Sequence, residues 1–203
     1  MDRNELKTAA KNQIKDSIGM LFIIAVIMVL ISAVASIACS YLIPGGWTLV
    51  PVIVLPAFSL SMIRIYLDLT EGYRPQINDA FSGFDDFWSA FKVTFLMGFF
   101  TFLWSLLLIV PGIIKGISYS MAPYVLAEDK GKPAMECIRA SKAMTEGHKA
   151  ELFTLYLSFL GWLLLCAATL GIAAIWVAPY MQATLANVYN TLKPKKAPKR
   201  FDD

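Results

Sequence analysis

The sequence predicts an all-α protein: a polytopic membrane bundle of about six transmembrane helices arranged as three hairpins, with interfacial amphipathic helices. Hydrophobic residues make up 57% of the 203 residues and charged residues only 16%, whereas about a quarter of the residues in a soluble domain are charged. The charges are also clustered, since no Asp, Glu, Lys or Arg occurs from Met20 to Ile63 or from Leu152 to Leu192. Apolar runs of about 20 residues, the length that crosses a bilayer, recur along the chain.

Six segments have the length and apolar content of a spanning helix. The first follows a polar and basic start, as in a signal peptide, but its apolar run is longer than the core of such a peptide, and we expect it to be retained. The fourth segment is short, and it either crosses with a kink near Pro111 or is re-entrant. The predicted spans are Ile18–Leu42, Trp47–Leu67, Phe87–Val110, Ile113–Leu126, Ala150–Leu170 and Ile172–Leu192.

The connections between the predicted spans alternate in charge. Pro44-Gly45-Gly46, Pro111-Gly112 and Leu170-Gly171 are short and uncharged, whereas 68–87, 127–149 and both termini carry the charges. Lys and Arg favour the cytoplasmic side of a membrane. Six spans would place every charged segment on that side, so we expect both termini to be cytoplasmic.

The charged segments also predict how the chain is divided. We expect a single membrane domain over residues 1–192 and a basic cytoplasmic tail over residues 193–203. Apolar residues recur at helical spacing in the other charged segments, which predicts an amphipathic arm over residues 1–16 and cytoplasmic interfacial helices over residues 75–86 and 132–147. Each of the three precedes a predicted hairpin, an order that suggests a threefold repeat.

Side chains that could support catalysis are few. The single histidine, His148, lies at a predicted membrane boundary, and Asp85 and Asp86 are adjacent, so that on a helix they would point in different directions. No hydrolase, metalloprotease or nucleotide-binding motif is present. The cysteines lack the spacing of a metal or redox site and are expected to be packing residues: Cys39, Cys137 and Cys166. We expect no enzymatic activity, no cofactor and no nucleic-acid partner.

Polar residues within the predicted spans are the remaining candidates, because such groups are costly in lipid. Arg64 and Asp68 are four residues apart, which predicts an ion pair at the end of a helix or, alternatively, a headgroup or ion contact. The returning helices of the hairpins are richer in polar residues than the outgoing ones. This asymmetry predicts a polar intramembrane seam, or alternatively ordinary interhelical hydrogen bonds: Arg64, Tyr119, Tyr124, Tyr180, Gln182 and Asn187.

Several motifs in order resemble a bacterial integral-membrane family catalogued as domain of unknown function 975. They are Val110-Pro111-Gly112, Ser118-Tyr119-Ser120-Met121-Ala122-Pro123-Tyr124, Ser141 with Gly147-His148-Lys149, and Leu157-Ser158-Phe159-Leu160-Gly161-Trp162. A more distant likeness is to the membrane domain attached to some glycerophosphodiester phosphodiesterases. The resemblance implies a membrane fold in the bacterial cytoplasmic membrane but no known activity. It singles out Gly147-His148-Lys149. With the basic side chain of Lys142, His148 and Lys149 are the candidates for contact with lipid headgroups or a partner.

Three functional hypotheses remain open. The first is a non-enzymatic lipid-interacting or scaffold protein, whose partners are membrane lipids, in particular anionic ones, and a protein partner or a second copy of the chain. The second is a small transporter or channel with a polar path along the returning helices. The third is an intramembrane enzyme acting on lipid, for which His148 would have to meet Asp85 or Glu151 around a cleft.

Overall fold

The computed structural model describes residues 3–42 and 49–194, and these residues form α-helices, one short 3-10 helix and the turns between them. The turn predicted at 44–46 and residues 195–203 of the predicted tail lie outside the described residues. The helices are α1 (Arg3–Lys15), α2 (Ile18–Leu42), α3 (Leu49–Thr70), the 3-10 helix (Ile77–Phe81), α4 (Phe87–Leu107), α5 (Ile109–Tyr119), α6 (Ala122–Glu128), α7 (Ala134–Thr145), α8 (Lys149–Ala168) and α9 (Ala174–Leu192).

Five segments of the described chain are long and apolar enough to cross a membrane. The fourth joins α5 and α6 into 20 residues, longer than the short span predicted from the sequence. Helix α9, the sixth predicted span, does not meet the same hydropathy criterion, because Gln182, Asn187 and Asn190 interrupt its apolar residues. The five segments are Ile18–Tyr41, Val52–Thr70, Phe87–Leu107, Ile109–Glu128 and Lys149–Ala168.

The core of the bundle lies at the end where the charged segments are. In α2, α4 and α8, the buried residues lie in the halves next to those segments, and the opposite halves are exposed. Helix α9 is different, because it is buried from Val177 to Tyr189 on the faces that meet α1 and α3. The helices therefore converge around α9 at the charged end, and their apolar surfaces remain exposed toward the other end.

The amphipathic arm predicted at the N-terminus is α1, and it docks onto the bundle. Ala10 is fully buried against α9 and α3. The side-chain amides of Gln13 and Asn187 exchange two hydrogen bonds, of 3.2 and 2.9 Å. Lys7 Nζ donates to Ser158 Oγ of α8 at 2.9 Å, so one charged side chain of the arm points into the bundle.

The predicted interfacial helix over residues 75–86 is wrong as an α-helix, because only Ile77–Phe81 is helical, as a 3-10 turn. The residues that follow, 82–86, bend onto α3, and we call them the docked loop. The backbone N–H of Gly83 donates to Ser61 Oγ at 2.8 Å, and Phe84 packs edge-on against Phe58 with ring centres 5.1 Å apart. Such bonds from side chain to backbone offer the chain an alternative to helical hydrogen bonds.

Within the segment 132–147, where an interfacial helix is predicted, the structure has the α-helix α7, and this helix supports the break between α5 and α6. Pro123 lies in the first turn of α6, and proline cannot donate the hydrogen bond that would continue α5. Ser141 of α7 satisfies groups freed at this break, because its hydroxyl accepts from the backbone N–H of Met121 at 3.1 Å and donates to the carbonyl of Ser118 at 2.7 Å.

Helices α4 and α5 pack closely at two glycines of α5 that are four residues apart. A Cβ atom on Gly112 would lie 2.8 Å from the Cα of Ser105, too close for any side chain, and one on Gly116 would lie 3.6 Å from Thr101. The small size of these residues therefore allows the close approach of the two helices.

Candidate functional site

The residues of the predicted polar seam do not form one continuous path. Tyr124 donates a hydrogen bond to Gln182 Oε1 at 3.2 Å, which joins α6 to α9. Tyr180 instead meets the rings of α8, Tyr119 packs beside the ring of Phe100, and Asn187 pairs with α1. The structure therefore brings one pair of the predicted residues together and separates the others.

Arg64 has a different partner from the one predicted. Its side chain is buried, Nη2 lies 2.5 Å from Asp86 Oδ2, and Nη1 donates to the carbonyl of Ser82. The predicted ion pair with Asp68 is therefore wrong, because the docked loop brings a carboxylate and a carbonyl to the guanidinium. Both partners of this pair are shielded from solvent, with side-chain exposures of 8% and 14%, so that the pair ties the loop to α3.

A polar cavity that the sequence did not predict lies next to Arg64. Its volume is about 190 Å³, and it is lined by Arg64, Leu67, Asp68, Glu71, Ala127, Glu128, Asn190 and Lys193. Tyr189 donates to Glu128 at 2.7 Å, and Lys193 lies 3.5 Å from the same carboxylate. These contacts close the charged end of α9 against α6. The acidic residues come from α3, the turn after it and α6, so their proximity depends on tertiary packing.

Lys142, His148 and Lys149 do not form a common pocket. His148 Nδ1 lies 3.0 Å from Glu151 Oε2 at the start of α8, and both side chains are about two-fifths exposed. Lys142 is exposed on α7. The enzyme hypothesis required His148 to meet Asp85 or Glu151 around a cleft. His148 does meet Glu151, but the two are neighbours on one helical turn, and neither lines the polar cavity or the two apolar cavities of the bundle.

A lateral cleft of about 510 Å³ lies between the α4–α5 pair and α8. Its sides are mainly apolar, with hydroxyl groups at Thr101, Ser105, Ser120 and Tyr156. Phe153 and Leu160 are 47% and 51% exposed, so the cleft opens to the side of the bundle. The lining residues are Thr101, Ser105, Gly112, Ile113, Gly116, Ile117, Ser120, Phe153, Tyr156, Leu157 and Leu160.

The sequence of the chain matches one protein family. The model of a family described as "Protein of unknown function (DUF975)" matches residues 1–118 and 106–196. The chain belongs to this family. It is the family that the motifs of α5, α6 and α8 resemble in the sequence. No curated protein matches the chain, and no solved structure matches it.

A second apolar cavity of this DUF975 protein, of about 310 Å³, lies between α2, α3 and α9. Tyr66 and Pro179 are among the residues that line it, together with apolar residues of α2 such as Phe22 and Val29. Its surface is more uniformly apolar than that of the lateral cleft, and it has no cationic residue among its lining side chains.

The cysteine of α7 is a packing residue in the DUF975 protein. Cys137 is fully buried, and its Sγ lies 3.8 Å from the carbonyl oxygen of Lys132. Burial raises the pKa of the Cys137 thiol to about 11, because an apolar environment disfavours the charged thiolate. Within residues 3–42 and 49–194, no three His, Cys, Asp or Glu side chains are grouped to hold a metal ion.

Proposed function

We propose that this DUF975 protein is a non-enzymatic, lipid-interacting scaffold of the bacterial cytoplasmic membrane. In this proposal α2, α3, α4, the α5–α6 segment, α8 and α9 make six spans in three hairpins, with both termini in the cytoplasm. Helix α9 serves as the sixth span although it is more polar than the others. Its polar side chains Asn187 and Gln182 bond to α1 and α6, which lowers the cost of placing them in a membrane.

The observation that carries the proposal is the way the cytoplasmic elements are held. Helix α1, the docked loop and α7 are each fixed to the long helices by side-chain hydrogen bonds. At the same time Lys11, Lys15, Arg139 and Lys142 remain exposed. Rigid elements that present basic side chains beside apolar helices provide a surface for anionic headgroups.

Native mass spectrometry with added lipid tests this function. The purified protein is titrated with phosphatidylglycerol or phosphatidylcholine, and the bound lipid is counted. Each basic residue near an anionic surface contributes about 1 kcal/mol, so we expect the Lys142→Gln, Lys149→Gln double variant to lose about 30-fold in phosphatidylglycerol affinity. Phosphatidylcholine binding should not change.

Lys115 provides the matched control for this experiment. It lies near the opposite end of the bundle, with Nζ 4.7 Å from the centre of the Trp104 ring. Lys115→Gln removes one positive charge without touching the cytoplasmic surface, and we expect it to keep wild-type phosphatidylglycerol affinity. Equal retention by the wild type and the double variant would contradict the proposed headgroup contacts.

Transport is the second candidate function, and one observation favours it. Gln182 lies in the middle of α9, is exposed, and accepts a hydrogen bond from Tyr124. An exposed amide at that depth would suit a polar path. The test is dye-reported ion flux in proteoliposomes, where flux that Gln182→Leu abolishes would favour transport over a scaffold.

A further inference from the structure

We infer that the lateral cleft binds one acyl chain of an anionic glycerophospholipid, with the headgroup at Lys149. This inference rests on the proposed lipid-interacting function and assigns it a site. The cleft is the space between the α4–α5 pair and α8, lined as described above. Its volume of about 510 Å³ falls within the range of about 300–1,000 Å³ that is usual for ligand pockets.

The depth of the cleft comes from the glycines of α5. Gly112 and Gly116 line it and add no side-chain atoms. From Gly112 to Ser120 the cleft follows eight residues of the chain, which corresponds to about 12 Å at 1.5 Å per residue. An apolar chain lying along this length would contact Ile113 and Ile117 on one side and Leu157 on the other. Because a lipid tail is already in an apolar environment, van der Waals packing against these side chains, rather than removal from water, favours the complex.

The position of Lys149 indicates how the lipid is oriented. Of the four hydroxyl-bearing residues that line the cleft, Thr101 and Ser105 lie on α4, and Ser120 and Tyr156 lie toward the charged segments. Lys149 precedes Phe153 by four residues on α8, and residues four apart lie on the same helical face. Lys149 therefore lies one turn beyond the cleft at that end. The ammonium group of Lys149 is complementary to a lipid phosphate, the hydroxyl groups next to it are complementary to an ester, and the apolar cleft is complementary to an acyl chain.

The shape of the cleft favours a lipid chain over a second copy of the protein. A second copy would present a helix about 10 Å wide, which matches an elongated cleft between α5 and α8 less well than a single chain does. An extended acyl chain is thinner than a helix and needs no hydrogen-bond partners along its length. The observations therefore favour the lipid.

Photo-crosslinking in detergent or nanodiscs tests the inference. The probe is phosphatidylglycerol that carries a photoreactive group on one acyl chain, and labelled peptides are identified by mass spectrometry. We expect labelling of Phe153–Leu160 and of Gly112–Ser120. Gly116→Leu fills the cleft and should reduce this labelling at least tenfold. Gly98→Leu on α4 is the control, because Gly98 has open space around it and does not line the cleft.

Two further variants test the cleft and the headgroup contact separately, even if Gly116→Leu does not fold. Leu160→Trp fills the cleft from α8, so that it replaces Gly116→Leu if that variant does not fold, as judged by its thermal transition. Lys149→Gln should weaken phosphatidylglycerol labelling about fivefold, for one cationic contact of about 1 kcal/mol. Labelling that survives both cleft-filling variants would overturn the inference.

The outcomes also separate this inference from the proposed function. If the wild type retains phosphatidylglycerol but the label appears outside the cleft, the assigned site is wrong and the lipid-interacting function stands. If the wild type retains no phosphatidylglycerol, both fail. A dimer in native mass spectrometry that Gly116→Leu and Leu160→Trp both disrupt would identify a second copy as the occupant and would overturn the inference.

Discussion

Gly83→Ala should strongly destabilise the protein, because the docked loop approaches α3 too closely for a side chain. A Cβ atom at this position would lie 2.8 Å from Ser61 N and from Ser61 Oγ, and closer still to the carbonyl oxygen of Ala57. Overpacking of a closely packed site costs about 1–3 kcal/mol. Moving the loop away would also lose the bond from Gly83 N–H to Ser61 Oγ, worth about 1 kcal/mol.

The expected total is a loss of about 2–4 kcal/mol in the free energy of unfolding. For a chain of this size each kcal/mol lowers the melting temperature by about 2–4 °C, so Gly83→Ala should melt about 5–15 °C below the wild type. Thermal unfolding followed by tryptophan fluorescence in mild detergent measures this difference. Ser61→Ala separates the two contributions, since it removes the hydrogen bond without adding a methyl group to the loop.

Gly19→Ala and Gly98→Ala are the controls for Gly83→Ala. Both glycines lie in helices with no atom within 4 Å of the added Cβ, so alanine should leave the melting temperature unchanged or raise it slightly. A Gly83→Ala protein that melts with the wild type would show that the docked loop does not pack on α3 as described.

Three further predictions concern other buried contacts. Arg64→Ala should lower stability by about 3–5 kcal/mol, because it leaves the Asp86 carboxylate buried without its partner, and Asp86→Ala in the same chain should recover part of that loss in a double-mutant cycle. Ser141→Ala should cost about 1–3 kcal/mol, since it orphans groups at the break between α5 and α6; thermal unfolding measures it. The Cys137 thiol should resist maleimide at pH 8 in the native protein and react after denaturation in SDS, because its folded pKa is about 11.

The Cys137 prediction also has a defined pH dependence. A folded pKa raised above the usual value of 9.0 means that the folded state holds the proton more tightly than the unfolded state. The stability from this thiol is therefore fully present below about pH 9 and is lost as the pH rises toward about 11. Cys137→Ala should remove this part of the pH dependence, and an unchanged profile would contradict the assignment.

Hydropathy and charge placed the long helices well, because those signals report directly on apolar surface. The sequence predicted α2 over Ile18–Leu42, and the structure has the same bounds. Tertiary contacts were harder to predict. Asp68 was the nearest carboxylate to Arg64 along the helix, but a chain reversal brings Asp86 to it from 22 residues away. Sequence spacing describes neighbours on one helix and carries no information about which loop folds onto it.

The lateral cleft also combines features that can be predicted from the sequence with contacts that cannot. Gly112 and Gly116 are spaced as in the GxxxG motif of closely packed helices, and in the structure they lie against α4. That Tyr156 of α8 faces the same glycines could not be predicted, because nothing in the sequence sets the distance between α5 and α8. The predicted helix over residues 75–86 failed for a related reason, since Ser61 and Arg64 compete for its backbone groups.

The amide pair between Gln13 and Asn187 joins residues that are 174 positions apart in the sequence. Because synthesis runs from the N-terminus, α1 is made before both of its partners, α8 and α9. Lys7 and Gln13 cannot form their hydrogen bonds until Ser158 and Asn187 have been made. Docking of α1 is therefore a late step in folding, and a chain shortened before Asn187 would hold its N-terminal helix less firmly.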